Sequence, residues 1–348
     1  MDPLTHALVG IGIGALSGEA LSPYNPIYCA VVMGSVVPDI DIISMLKGDL
    51  TLVRNHRGAS HSLSGFLLFS LFTAGVLMID FGGSFWVYFL WALAGTFSHG
   101  LLDFLNSYGI SLFWPISNKR LAGNLLTLTD PLFFIITAPL IFVYSNPYPF
   151  SYIIIPLLGF YILLRWLMRK RAENLLKKQF NILPGKEKIA VLPALKGTAS
   201  WDFLIDKPRE VILGTFNFFG KTIYNTFSLN KKDPTPVLLK ALQTAPGKFF
   251  RQFTSYYHAI QWEEKGKSFV KLLDLRFKIR SDFFYKITMV FNENQHLETA
   301  YFHRYRQSIP IYSRYEIPMP HSHKAAATTE KASSSVEQNE PEPRTFSL

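Results

Sequence analysis

Charge is scarce in this chain: only 17% of its 348 residues are charged and 49% are apolar, whereas about a quarter of a soluble domain is charged. That scarcity excludes a disordered chain and argues against an ordinary soluble enzyme. A single cysteine, Cys29, excludes a disulfide framework and a thiolate zinc cluster. Walker loops, Gly-x-Ser-x-Gly elbows and His-Glu-x-x-His zinc helices are missing, which removes their chemistries. Gly10-Ile11-Gly12-Ile13-Gly14-Ala15 has no strand before it, so it is no dinucleotide loop. Gly10, Gly14 and Gly18, four apart, suit a close helix-packing face. Basic residues are rare where they would signal nucleic acid. The net charge is +10, yet residues 1–118 hold three Lys or Arg against seven Asp or Glu, together with four of the nine histidines. The basic excess belongs to the later chain, so no nucleic-acid partner is expected.

What is present instead is long apolar sequence. About 20 residues cross a bilayer as a helix, and Ile27–Leu46, Leu63–Ile79, Phe85–Leu105, Pro131–Ser145 and Phe150–Met168 reach or approach that length. Ala7–Leu16 is shorter and glycine-rich, and reads as a partial or re-entrant span. Met1–His6 has no basic region of the kind a signal peptide carries. The expected architecture for residues 1–170 is an α-helical integral membrane domain of five to six spans. Lys and Arg near membrane ends favour the cytoplasm. Arg165, Arg169, Lys170, Arg171, Lys177 and Lys178 close the last span, while Lys119, Arg120, Lys47, Arg54 and Arg57 fall in loops on the same side. The connections at 21–26, 80–84 and 146–149 have no Lys or Arg. An even span count with both termini cytoplasmic follows.

After about residue 185 the pattern becomes alternation at period two, in Lys188–Pro193, Ser200–Ile205, Glu210–Phe216, Lys221–Ser228, Phe249–Gln261, Ser268–Phe277, Tyr285–Phe291 and Thr299–Arg306. Residues 185–320 are therefore expected to form a small antiparallel β-rich cytoplasmic domain. The tail, 321–348, is too polar to bury a core and is expected to be disordered. Its His321 and His323 read as solvated.

Ionisable side chains in apolar spans cost about 2.5–3.5 kcal/mol each on insertion scales, so each suggests a functional site. Here they come in groups: Asp2 with His6; Asp39 and Asp41 after Pro38; His56, Arg57 and His61 in His-Arg-Gly-Ala-Ser-His-Ser; and His99 with Asp103. Under the topology above all four groups lie toward cytoplasmic span ends. His99 and Asp103, four apart, share one helix face. Pro38 breaks its helix and lets Asp39 and Asp41 project from irregular backbone. Imidazole and carboxylate donors suit divalent zinc, manganese or iron. Seven candidate ligands, His6, Asp39, Asp41, His56, His61, His99 and Asp103, exceed the needs of one catalytic zinc, so the set reads as one or two ions with outer partners. Each group has a plainer reading as an interfacial histidine, a hydrogen-bonded pair or a helix cap. Ser60 or Ser62 as a nucleophile beside His61 is a further, weaker alternative.

Met1-Asp2-Pro3-Leu4-Thr5-His6-Ala7, Pro38-Asp39-Ile40-Asp41, His56 to Ser62 and Ser98-His99-Gly100-Leu101-Leu102-Asp103 together resemble the bacterial YdjM/YbcI-like family of inner-membrane metal-dependent hydrolases. The resemblance covers residues 1–170 by motif. It implies a bacterial inner-membrane location and hydrolysis by metal-activated water at the cytoplasmic face. Arg57 would then grip a phosphate or carboxylate, and Asp41 or Asp39 would serve as general base. The expected partners are membrane lipids, with a phosphoester or lipid-like substrate. A structural metal site with a partner-binding β domain is the competing expectation. Transport is disfavoured, because the outer halves of the spans look apolar.

Overall fold

The first helix begins where Asp2 turns its carboxylate onto the chain: Oδ1 accepts from the Thr5 amide (2.9 Å) and Oδ2 from the Thr5 hydroxyl (2.7 Å), with Pro3 in the first turn. Such a cap satisfies amides that a helix start leaves open. The computed structural model describes residues 1–41, 57–141, 148–195, 197–279, 282–305, 307–313 and 344–347. The chain divides into two units, Met1–Leu176 with Val191–Trp201, and Lys177–Ala190 with Asp202–Leu348.

In the first unit, α1 (Pro3–Gly14), α2 (Pro26–Val36), α3 (Leu63–Phe81), α4 (Phe85–Leu105), α5 (Pro131–Thr137) and α6 (Tyr148–Gln179) follow in order. Asn25 caps α2, Ser62 caps α3 and Asp130 caps α5. Three helices, Leu63–Phe81, Phe85–Leu105 and Phe150–Gln179, are long and apolar enough to cross a membrane. Among the described residues the count of full-length spans is thus three rather than five or six. The stretch expected at Ile27–Leu46 stays α-helical only to Val36 and tightens into a 3-10 turn at 37–41, around Pro38; 42–46 lies outside the described residues. The stretch expected at Pro131–Ser145 begins as a short helix with a 3-10 turn, Ala138–Ile141, and 142–145 lies outside the described residues. Ala7–Leu16 lies in α1 and the turn after it.

The long helices turn large apolar side chains outward, among them Leu68, Phe72, Ile79, Trp86, Leu90, Ile153 and Phe160, and keep Ser70, Thr73, Thr96, His99 and Asp103 buried. A patch so extensive and apolar on the outside suits lipid, not water. Glycines set the inner spacing. A Cβ on Gly10 would stand 2.5 Å from Ser35 Oγ, and one on Gly14 2.8 Å from the Tyr28 ring, so these two members of the glycine series do face α2. Gly34 and Gly95 close the α2–α4 contact, where a Cβ would run into the Ala92 and Val31 carbonyl oxygens respectively.

Residues 106–126 fold back over the end of α4. Gly123 N–H donates to Phe104 O (2.5 Å), and Leu125 and Leu126 donate to Leu105 O (2.8 and 3.0 Å), which satisfies carbonyls a helix end leaves bare. Arg165 and Arg169, expected as markers of orientation, hold this segment. Arg165 donates to the Leu125 and Thr198 carbonyls and lies 4.1 Å from the Trp201 ring. Arg169 donates to Gly123 O (2.8 Å) and Val191 O (3.1 Å).

The remaining elements are β1 (Lys188–Pro193), β2 (Ser200–Asp206), β3 (Glu210–Asn217), β4 (Thr222–Asn230), α7 (Pro236–Gln243), α8 (Ala245–Phe253), β5 (Tyr257–Glu264), β6 (Lys267–Asp274), β7 (Lys278–Ile279), β8 (Asp282–Phe283), β9 (Tyr285–Phe291), β10 (Leu297–Arg304), β11 (Gln307–Ser313) and β12 (Arg344–Ser347). They build sheets of order β1-β2-β3-β4-β12 and β11-β10-β9-β6-β5, with a small β7-β8 pair. The antiparallel β domain is therefore present. Of the strand expected across Phe249–Gln261, the part from Tyr257 forms as β5, whereas residues 249–253 are helical, because Thr244 caps α8 and Phe249, Phe250 and Phe253 share a helical stripe. Of the tail, Arg344–Ser347 pairs with β4 as a strand, and 314–343 lies outside the described residues. In the sheet, His303 bridges Thr288 Oγ1 (2.8 Å) and Ser308 Oγ (2.7 Å). Burial and the charges of Lys271 and Lys286 push its pKa down to about 4.

The helix contact gives a direct expectation. Gly95→Ala sets a methyl against backbone, an overpacking that costs roughly 1–3 kcal/mol. Thermal unfolding in detergent should show a clear loss, whereas Gly159→Ala, in open space, should be near neutral.

Candidate metal centre

Four elements deliver the ionisable groups to one end of the first unit: the start of α1, the 3-10 turn after α2, the 3-10 turn Ala59–His61 before α3, and the end of α4. Asp39, His61, His99 and Asp103 each offer one donor atom, and those atoms lie within 4.8 Å of one another. Bonds of about 2.0–2.2 Å to a common ion need donors roughly this close.

The hydrogen bonds behind the donors decide which atoms face inward. His99 Nδ1 lies 2.8 Å from the Ser35 carbonyl; a carbonyl only accepts, so Nδ1 carries the proton and Nε2 keeps its lone pair. His61 Nδ1 contacts Ser60 Oγ (2.9 Å) and Asp41 Oδ2 (3.4 Å), and its Nε2 faces Asp103 Oδ2 (3.2 Å) and Asp39 Oδ1 (3.4 Å). The two Nε2 atoms are 3.0 Å apart. Asp103 Oδ2 is buried and accepts no well-formed hydrogen bond. Two imidazoles with outer partners and a carboxylate oxygen left for an ion form the pattern of a metal ligand set.

His6 and Asp41 stand one step outside this group. The His6 ring stacks on His99 at 3.8 Å, but its Nε2 faces Asp103 Oδ1 at 3.4 Å; the Met1 amine bonds the same oxygen. Asp41 Oδ2 accepts from the Arg57 amide (3.0 Å) and the Ser60 hydroxyl (2.6 Å), on the far side of His61. The seven expected ligands thus divide into four that converge and two that support them, with His56 outside the described residues. Arg57, expected to grip a substrate anion, is buried with Nε 3.1 Å from Asp103 Oδ2 and Nη1 2.8 Å from Asn106 Oδ1. Its backbone sits at φ +63°, a costly conformation for a side-chain-bearing residue, held by the amide's bond to Asp41 and the carbonyl's bond from Ser111 N (3.0 Å). Ser60 does meet His61, yet as a bridge to Asp41.

Sequence reasoning passed over Asn106 and the Ser35 carbonyl. Asn106 Oδ1 accepts from Arg57, Tyr108 N (2.8 Å) and Gly109 N (3.3 Å), and Nδ2 donates to Asp103 Oδ1 (3.3 Å). Its position three residues after Asp103 was the available signal. Nothing in a side-chain pattern marks a backbone carbonyl.

Residues 1–172 match the profile of a family described as YdjM inner membrane protein. This part of the chain belongs to the YdjM family. Beyond the YdjM region, residues 236–309 match the YfhP C-terminal alpha/beta plait domain, the stretch that holds α7, α8 and the strands β5 to β10. YfhP of Bacillus subtilis (strain 168) is 27% identical over 297 residues, which span 81% of this chain and 89% of that protein. No solved structure matches. The YdjM match and the three long apolar helices point to a membrane protein, and the His/Asp group lies in the YdjM part.

Removing a converging donor should empty the site. In purified full-length protein, Asp103→Ala and His99→Ala are expected to lose stoichiometric divalent metal, read by elemental analysis. Asp41→Asn should keep the ion but bind it 10–100-fold more weakly. Equal metal content in wild type and Asp103→Ala, with matching elution profiles, would contradict a shared site.

Proposed function

We propose that this chain is a membrane-bound metal-dependent hydrolase, holding one zinc or manganese ion, that acts at the cytoplasmic membrane face on a phosphoester or lipid-like substrate. The observation that carries the reading is the convergence of Asp39, His61, His99 and Asp103 with their outer atoms already engaged. A bound ion would lower the pKa of water and polarise a scissile group. The chain's own residues do the rest. Ser35 and the Asp41–Ser60 pair hold the two imidazoles in the ligating orientation. Arg57 and Asn106 hold Asp103. Asp39 and Asp41 keep 13% and 11% of their side-chain surface open, while His61, His99 and Asp103 have none, so substrate and water would approach on the aspartate side. Asp39 would then be the carboxylate in reach of a proton released from water, with Asp41, behind His61, taking part through that imidazole.

The course of the chain favours both termini on one side. His6 at the start of α1, Ser35 at the end of α2, His61 just before α3 and Asp103 at the end of α4 all meet at one level. Arg165 and Arg169, late in α6, bond the segment that covers the end of α4. Each helix pair therefore leaves this level and returns. The concentration of Lys and Arg here favours the cytoplasmic side.

A second reading has its own support: four protein donors, three of them fully buried, resemble a closed structural ion site, with the C-terminal domain then serving a partner. Assays on the metal-loaded protein separate the two. Hydrolysis of phosphomonoesters, phosphodiesters or phospholipids by wild type is expected to fall at least 100-fold in His61→Ala and on chelation, and to return with zinc or manganese. A fully metallated, folded protein inert toward all three classes would favour the structural ion.

A further inference from the structure

A second surface adjoins the metal centre. Residues 111–121 run from the buried Ser111 through a tight turn in which Phe113, Trp114, Pro115 and Ile116 are consecutively exposed; Ile116 is 93% exposed. Four exposed apolar residues in a row do not suit a loop in water. The loop is not loosely attached. Ser111 N donates to Arg57 O (3.0 Å), Leu63 N to Leu112 O (3.0 Å) and Ser64 Oγ to Trp114 O (3.2 Å), while Arg57 lies 5.3 Å from the Tyr108 ring. It is thus sewn to the segment that carries His61, at the residue where the apolar run of α3 begins. Lys119 and Arg120 follow at once, and no Asp or Glu occurs between residues 104 and 129.

We propose that this loop is a membrane-seated ledge: Phe113, Trp114 and Ile116 enter the headgroup–acyl boundary of the leaflet around the metal centre, and Lys119 and Arg120 contact anionic headgroups. Aromatic rings favour that boundary, and apolar side chains beside basic ones are the combination by which an interfacial segment binds an anionic surface. The loop's attachment at the start of α3 fixes the depth of the ledge relative to the span. Because Arg57 and His61 are bound to the same segment, the ledge also holds the mouth of the centre at headgroup depth. Presentation of a lipid headgroup there rests on the hydrolase reading; insertion of the ledge does not.

The test uses full-length protein in the Cys29→Ser background, reconstituted in nanodiscs of phosphatidylcholine with or without phosphatidylglycerol. A nitroxide is placed at Ile116→Cys, at Phe113→Cys, and, for comparison, at Lys265→Cys in the β5–β6 turn. Collision with oxygen should exceed collision with a water-soluble nickel chelate at 113 and 116, with the reverse at 265. Lys119→Glu should raise nickel access at 116 at least twofold in anionic discs and leave it unchanged in neutral ones. Nickel-dominated collision at both loop positions would overturn the proposal in favour of a water-exposed loop. Exclusion of both reagents would also overturn it and point to a protein partner or a second copy. An unchanged Lys119→Glu profile in anionic discs would remove the headgroup contact. None of these readouts depends on hydrolysis, so an inactive protein with an inserted ledge would count against the hydrolase reading alone.

Discussion

The carboxylate of Asp103, fully buried near the end of an apolar helix, is the constraint on which the rest of the membrane unit depends. An isolated charge there would be costly, and removing one partner from a buried ionic group commonly costs several kcal/mol. The fold answers with donors from every side. The Met1 amine, His6 and Asn106 address Oδ1, and Arg57 and His61 address Oδ2. Those donors come from the chain start, the segment before α3 and the end of α4, so satisfying one residue fixes the relative positions of three elements. Oδ2 nevertheless lacks a good hydrogen bond, and it belongs to one of the four residues that could hold an ion.

The small residues serve the same end. Gly34 and Gly95 bring the backbones of α2 and α4 so close that neither admits a Cβ. Only at that spacing does the Ser35 carbonyl reach His99 Nδ1. Packing of this kind is how membrane helices associate where lipid offers no hydrophobic drive. Here it also selects a histidine tautomer. The glycine stripe and the imidazole orientation, which look like separate features of the sequence, are one device.

Much of this was legible in the residues, and the gaps have physical causes. Helical spacing joins His99 to Asp103, and the scarcity of charge singles out Asp39 and His61, groups whose donor atoms the fold brings together. Among the described residues hydropathy marks more spans than full-length helices, because it measures apolarity and not helix length: regular helix gives way to a 3-10 turn around Pro38, and α5 passes into a 3-10 turn after Thr137. The helical end at 249–253 was hidden because Phe249, Phe250 and Phe253 run on into the aromatic strand that follows and read as its beginning until the Thr244 cap is considered. Arg57, expected to grip a substrate anion, lies against Asp103 and Asn106. A guanidinium in a motif beside two histidines invites a substrate, but pattern alone does not show that a carboxylate 46 residues onward takes the charge first.

The Arg57–Asp103 pair bears on how the centre could act. With Arg57 engaged by Asp103 and Asn106, its charge reaches a substrate only through the carboxylate it holds. It would lower the electron density Asp103 could offer to an ion, and it restrains the carboxylate at Oδ2. Asp41 acts in the opposite sense on His61: a carboxylate and a hydroxyl at Nδ1 raise the basicity of Nε2, as outer partners of metal-bound histidines do. The centre therefore pairs a strengthened imidazole with a restrained carboxylate. Were an ion bound, this balance would bear on the acidity of its water, and Asn106 and Ser60 would adjust it through Asp103 and His61.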